Sequence, residues 1–413
     1  MSRRVVITGM GAVTPIGLSV RESWDSCVNG RSGLGRITLF DPTNFPIQIG
    51  GELKNFDPAN YMDAKEARRR DRFEQMGVAA AKEALTQSGL VITDVNAGRI
   101  GSFVSSAVGG AQAFQEASIT MKESGPRRIN PFTIPMMMVN GAAGMVAIDF
   151  GTKGPAMCIT SACAAGADSI GMAALLIKAG RIDAALAGGA EASIVPTGIA
   201  AFDRVGALSR RNEDFSMTPQ PFDKNRDGLL MGEGAAVVMV EGLDHAQARG
   251  ANIICELIGY GSTNDAFHIT APSEDGAGAA GAMVQALADA QLHPDQIDYI
   301  SAHGTATHLN DLTETKAIKL AFGEQAYRIP ISSTKSMTGH MIAATAALEI
   351  IFCALAIRDG VIPPTIHYQT PDPECDLDYV PNTAREKKVE IAMSNAFGFG
   401  GHNAVVIVKR FTG

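Results

Sequence analysis

One outline occurs twice in this 413-residue chain. In the first half an apolar segment runs into Cys158-Ile159-Thr160-Ser161-Ala162-Cys163-Ala164-Ala165-Gly166. A helical pattern of small and apolar residues follows from Asp168 to Ile177, then an apolar strand from Ile182 to Gly188 and a glycine turn, Gly188-Gly189. In the second half Ile329 to Ser333 reads as a strand that leads to Thr334-Lys335-Ser336-Met337-Thr338-Gly339-His340. A small-residue helix follows from Met341 to Arg358, then Ala392 to Phe397, the turn Gly398-Phe399-Gly400-Gly401, His402 and Asn403, and a strand from Ala404 to Lys409. The pattern restarts near residue 250. Two such copies imply two similar α/β halves, placed at 1–250 and 251–413. The continuous apolar run of 182–188 suggests a parallel strand covered on both faces.

Two other motifs fail on inspection. Arg4 to Thr8 is a strand followed by Gly9-Met10-Gly11, as in a dinucleotide-binding turn, but Thr14 stands where the third glycine belongs. Asp223, Asn225, Asp227 and Gly228 open like a calcium loop, but Gly234 occupies the position of the bidentate glutamate, and Lys224 and Arg226 dilute the charge. The net charge of −8 argues against nucleic-acid binding. Six scattered cysteines form no CxxC pair, which argues against structural zinc and a disulfide framework and for a reducing, cytoplasmic setting. Met1 to Gly9 enters a strand directly, without a signal-peptide pattern. The longest apolar run, 341–357, contains Glu349 and is too short to span a bilayer comfortably, so no membrane segment is expected.

The reactive side chains lie at predicted strand ends. Cys163 sits among small neighbours at a helix start, where a thiol is reachable and a thiolate is favoured; a buried structural cysteine reads equally well from that stretch alone. His303, in Ala302-His303-Gly304-Thr305-Ala306-Thr307, and His340 both sit among small polar residues, outside any amphipathic pattern. A thiol with two imidazoles suits acyl transfer through a thioester. The histidines lack metal-ligand spacing and read as proton handlers or hydrogen-bond donors, so no metal is expected there. The turn at 398–401 lets backbone N–H groups approach a ligand, as an oxyanion requires, and is also an ordinary tight turn.

These four motifs, in this order and covering essentially the whole chain, resemble the β-ketoacyl-acyl carrier protein synthases, nearest the elongating, type II branch. The resemblance implies a thiolase-like, five-layered α-β-α-β-α fold, a homodimer, and a decarboxylative Claisen condensation. In that scheme Cys163 attacks as thiolate and carries the acyl chain, and the N–H groups of Cys163 and Phe399 hold its oxyanion. His303 and His340 support malonyl decarboxylation, and Lys335 pairs with Glu349 to order them. Thr305 and Thr307 match residues that hold the phosphopantetheine arm, Phe399 matches the family's gate, and Val108, Phe202 and Glu349 join the substrate-binding set. The partner implied is an acidic acyl carrier protein docking on Lys65, Arg68 and Arg69, with Arg127 and Arg128 as further contacts. No resident organic cofactor is implied; a monovalent cation near Glu349, Ser394 and Asn395 is optional, because Ser301 replaces the family's asparagine. Thr133 and Val108 remove bulk from the acyl pocket, Gly206 stands where a docking arginine is common (Arg204 is nearby), and His402 replaces a threonine. A polyketide or specialised-lipid ketosynthase is the alternative. A degradative thiolase needs a second cysteine near 395–403, which is absent, and a non-catalytic partner subunit would lack Cys163.

Overall fold

The first strand, β1 (Val5–Val13), runs straight through Gly9-Met10-Gly11. These glycines make no turn. A Cβ at Gly9 would land on the carbonyl of Ala84, and one at Gly11 on that of Ala80, both in helix α1 (Arg72–Ser88). The glycines therefore let a helix lie directly on the strand. The computed structural model describes residues 3–413; Met1 and Ser2 lie outside it.

The N-terminal half continues with β2 (Ile100–Ser105), α2 (Gly141–Phe150), α3 (Ala165–Lys178), β3 (Ala184–Glu191) and β4 (Gly234–Gly242). The second half begins at β5 (Cys255–Asn264) and continues with α4 (Ala277–Ala290), β6 (Tyr299–Ser301), α5 (His308–Phe322), β7 (Ile331–Ser332), α6 (Ala343–Asp359), β8 (Ile391–Gly398) and β9 (His402–Lys409). On β5 the glycine device recurs: Gly259 and Gly261 face the carbonyls of Ala286 and Ala282 in α4.

The nine strands are ordered β2-β3-β4-β1-β5-β9-β8-β6-β7. β3 is parallel to β2 and antiparallel to β4, so the expected parallel pairing holds on one side only; all its residues are buried. The same pattern runs outward from β5, with β9 and β8 antiparallel and β6 and β7 parallel. The two half-sheets meet at Val5–Ile7 of β1 and Cys255–Leu257 of β5. Helices α3 and α6 pack on each other and lie between them, with α1 and α2 outside one half-sheet and α4 and α5 outside the other. This is the five-layered arrangement. Gly166 of α3 touches the Ala343 carbonyl of α6, which is why the central helices are rich in small residues. In α6 every residue from Ala343 to Ile357 is buried, Glu349 included. Among the described residues, no helix is long and apolar enough to cross a membrane.

Candidate active site

The segment before Cys163 is not the strand expected. Only Ala156 bridges to Ser102; residues 157–161 are irregular, and a single 3₁₀ turn, Ala162–Ala164, carries the chain into α3. Ala162 has φ of +51°, a left-handed conformation rare for alanine. Gly398 of β8 backs this turn: a Cβ there would lie 2.9 Å from the Cys163 nitrogen and from the Ser161 carbonyl oxygen. The next residue, Phe399, brings its backbone N–H to the Cys163 thiol, which also faces its own N–H.

Cys163 lies on the floor of a cavity of about 300 Å³, together with His303, His340, Phe202, Ile342 and Phe399. The ligand atoms of Cys163, His303 and His340 lie within 4.8 Å of one another. The imidazole rings meet edge to face, centroids 5.4 Å apart. Desolvation on the cavity floor pushes the thiol up to about 12, against the pull of Lys335 and the two N–H groups. Burial thus opposes the thiolate that the helix start favours. Burial, and then the Lys335 charge, hold both imidazoles well below the usual histidine range, with His340 adding to the effect on His303. The resting trio is neutral. A thiol with two imidazoles is a zinc-type donor set, but the adjacent Lys335 ammonium opposes a divalent ion.

Polar contacts fix the histidines. His340 Nδ1 lies 3.2 Å from Thr345 Oγ1, which accepts the Met341 N–H at 2.7 Å. Among the described residues His340 Nε2 is buried with no hydrogen-bond partner, which leaves it for a ligand in the cavity. The backbone N–H groups of His303 and Gly304 donate to Glu314 at 2.8 and 2.7 Å. Glu314 has no signature in the sequence: α5 has no clear apolar stripe, and the burial of Thr313, Glu314 and Thr315 shows only in the structure.

The other expected residues fall into three groups. Thr305 and Thr307 line the cavity with their hydroxyl oxygens 3.0 Å apart, and Phe202 stacks on Phe399 at 6.4 Å. Lys335 and Glu349 form a buried ion pair at 2.6 Å, so Glu349, expected among the substrate-binding residues, is held behind the cavity and is absent from its lining. Val108 also lies outside the lining, 45% exposed. Lys65, Arg68, Arg127 and Arg128 are exposed at the surface, while Arg69 pairs with Glu66 and stacks over Phe132. The arginines that follow in sequence do not share that surface: Arg70 is buried against Asp149 and Arg72 pairs with buried Glu233. In the calcium-like segment, Asp223 accepts the N–H groups of Asn225, Gln369 and Thr370, and Arg226 binds Asp372.

Among the described residues, Ser301 Oγ, Glu349 Oε2, Ser394 Oγ and Asn395 Oδ1 are buried without hydrogen-bond partners. Ser301 and Ser394 are paired neighbours on β6 and β8. Hydroxyl, amide and carboxylate oxygens are the donor types that a hard cation takes.

Residues 2–246 match the beta-ketoacyl synthase N-terminal domain and residues 254–369 its C-terminal domain. The chain is 48% identical to the 3-oxoacyl-[acyl-carrier-protein] synthase 2 of Staphylococcus aureus, covering 99% of both chains. Among solved structures it resembles the ishigamide ketosynthase/chain length factor at 37% identity and TM-score 0.94, each chain covered in full. It also resembles AntDE:AntF, a type II PKS acyl-carrier protein in complex with its ketosynthase bound to the hexaketide, at 35% identity and TM-score 0.91, again with both chains covered in full.

Proposed function

The chain belongs to the β-ketoacyl synthase family, and from that membership and its site we infer that it is a 3-oxoacyl-[acyl-carrier-protein] synthase of fatty acid elongation. The observation that carries the reading is the convergence of one thiol, two neutral imidazoles and two backbone N–H groups on one cavity.

In the first half-reaction Cys163 Sγ attacks the thioester carbonyl of an acyl carrier protein. The S–C bond forms, the carbonyl π pair moves to oxygen, and the oxyanion is held by the Cys163 and Phe399 N–H groups. Collapse breaks the old C–S bond. The departing phosphopantetheine thiolate takes the proton that Cys163 gave up, so a neutral resting thiol balances. In the second half-reaction malonyl carrier protein loses carbon dioxide, and the C–C bond pair becomes an enolate. Neutral N–H donors on His303 and His340 stabilise the enolate oxygen; charged imidazoles would be quenched by its protonation. The enolate carbon attacks the Cys163 thioester carbonyl, the C–S bond breaks, the 3-oxoacyl product leaves two carbons longer, and the departing Cys163 thiolate takes a proton from water.

An acyl carrier protein is the partner, docking on Lys65, Arg68 and Arg69 with Arg127 and Arg128; their charge suits an acidic surface. The thioester intermediate on Cys163, the phosphopantetheine contacts of Thr305 and Thr307, and the acyl contact of Phe202 belong to the same proposal. A homodimer is supported by exposed apolar side chains on the first half, among them Ile134, Ile148 and Met157. Six unpaired cysteines support a cytoplasmic location. Ser301, Glu349, Ser394 and Asn395 would hold a monovalent cation, which would supply a fixed positive charge behind the histidines.

Intact-mass analysis after mixing with acyl carrier proteins of short to long chain, followed by malonyl carrier protein, tests the reading. We expect an acyl adduct that Cys163→Ala abolishes and a 3-oxoacyl product; no adduct from any carrier protein overturns it.

A further inference from the structure

One buried carboxylate near the nucleophile has no part in the chemistry above. Asp168 stands on the first turn of α3, and no salt bridge reaches it among the described residues. Its Oδ2 accepts the Ser161 hydroxyl at 2.5 Å and its Oδ1 accepts the Tyr260 hydroxyl at 2.6 Å. Ser161 immediately precedes left-handed Ala162 and Cys163. A left-handed alanine persists only where its surroundings hold it, and a hydrogen bond to a carboxylate is roughly twice as strong as a neutral one.

Tyr260 lies on β5, in the other half of the molecule, with its ring against Gly171 of α3, where no side chain would fit. Four residues further along the same strand, Asn264 Nδ2 donates to the Gly400 carbonyl at 2.7 Å. The N–H of Asp265 donates to the Gly401 carbonyl at 2.9 Å. β5 thus grips the Cys163 turn through Asp168 and the Phe399 turn through Gly400 and Gly401. The two N–H groups of the oxyanion hole come from these two turns.

We propose that Asp168, anchored by Tyr260, is a positioning residue that holds the Cys163 N–H at its working distance from the Phe399 N–H. This rests on the condensing-enzyme reading of the site. Asp168 touches no reacting atom. It acts through Ser161, and its effect falls on the step that develops an oxyanion at Cys163.

The test uses the full chain with Asp168→Ala, Asp168→Asn and Tyr260→Phe. Three rates are read: single-turnover acylation by acyl carrier protein, decarboxylation of malonyl carrier protein, and alkylation of Cys163 by iodoacetamide, which forms no oxyanion. Asp168→Ala is expected to slow acylation about 10- to 100-fold, the scale of a small misplacement of reacting groups. The Michaelis constant for the carrier, the decarboxylation rate and the alkylation rate stay within about 2-fold of wild type on the same reasoning. Asp168→Asn keeps one acceptor oxygen and recovers part of the loss, and Tyr260→Phe, which removes only a hydroxyl, shows a smaller loss of the same kind. Variants that acylate like wild type overturn the positioning role alone, as do variants in which all three rates fall together. A wild type that takes no acyl group from any carrier overturns this proposal together with the reading it rests on.

Discussion

The two halves enter their central helices by the same kind of bend and put different chemistry on it. α3 is reached through Ala162 at φ +51°, α6 through Ile342 at φ +46°. Beside the first bend stands Cys163; beside the second stands His340. The supporting device is shared: a first strand with two glycines seated on a helix, Gly9 and Gly11 in one half, Gly259 and Gly261 in the other. Positions where backbone meets backbone are therefore the same in both halves, while the exposed tips of the bends differ. The halves face each other across α3 and α6, so the differing tips converge on one cavity. The first half contributes the nucleophile. The second contributes His303, His340, Lys335 and Phe399.

The sharpest way to break this division is to damage one half at a time. Cys163→Ala is expected to lower acylation by roughly 10⁴-fold or more while malonyl carrier protein is still decarboxylated. His303→Ala and His340→Ala should do the reverse, slowing decarboxylation by about 10²- to 10⁴-fold and sparing the acyl adduct. Intact mass and carbon dioxide release separate the two. A cysteine variant that also stops decarboxylating would show that the halves do not divide the reaction.

The next effect is on stability, and it is confined to the second half. α6 carries Glu349 on a helix buried all round, answered by Lys335 at 2.6 Å. Lys335→Met leaves the carboxyl unpaired and is expected to cost about 3–5 kcal/mol, whereas Lys335→Met with Glu349→Leu recovers most of it. Denaturant melts of the single and double variants decide this. Equal losses in both would mean that the unpaired carboxyl is not the source of the cost.

Cys163, His303, His340 and Lys335 were legible because reactive side chains among glycine, alanine and serine at strand ends have little packing to do. The duplicated outline was legible because buried strands and small-residue helices have different periods. Other features depend on partners distant in sequence. Gly9 and Gly11 looked like a turn because the helix lying on them is about seventy residues away. Cys163 was expected to follow a strand because Ile159 and its neighbours are apolar, but that segment keeps one bridge to β2 and then bends. Arg70 and Arg72 follow Lys65, Arg68 and Arg69 within a few residues, and nothing nearby in sequence shows that they are spent on the distant Asp149 and Glu233. The upward push on the Cys163 thiol is hidden from the sequence for the same reason: the cavity walls that desolvate it come from both halves.

That upward push gives a finer contrast between the tips. With the thiol raised to about 12 by burial, the thiolate fraction should grow about tenfold per pH unit from pH 7 to 10, and alkylation of Cys163 by iodoacetamide should climb with it, without a plateau. The imidazoles, held well below their ordinary value, stay neutral over the same range, so decarboxylation should be flat from pH 7 to 8.5. An alkylation plateau near pH 7 would mean that a resting thiolate exists and that Lys335 and the two N–H groups outweigh desolvation.

The smallest expected effect lies on the surface, where the halves again differ. Lys65 and Arg68 on the first half are exposed and form no salt bridge among the described residues, so their charge is free to meet an acidic partner. Arg69 is already partly spent on Glu66 and Phe132. On the second half, Lys316 of α5 is also exposed but lies outside the expected docking patch. Charges at the rim of an interface act mainly on association, so Lys65→Glu and Arg68→Glu should each raise the Michaelis constant for acyl carrier protein about 3- to 10-fold with little change in kcat. Arg69→Ala should do less and Lys316→Glu nothing. A small phosphopantetheine thioester, with no protein surface to dock, should show the same Michaelis constant with every variant. The increase should shrink as ionic strength rises, because a Debye length of about 8 Å at physiological salt screens exposed pairs. If Lys316→Glu matched Lys65→Glu, the effect would come from net charge, and the first half would have no docking surface of its own.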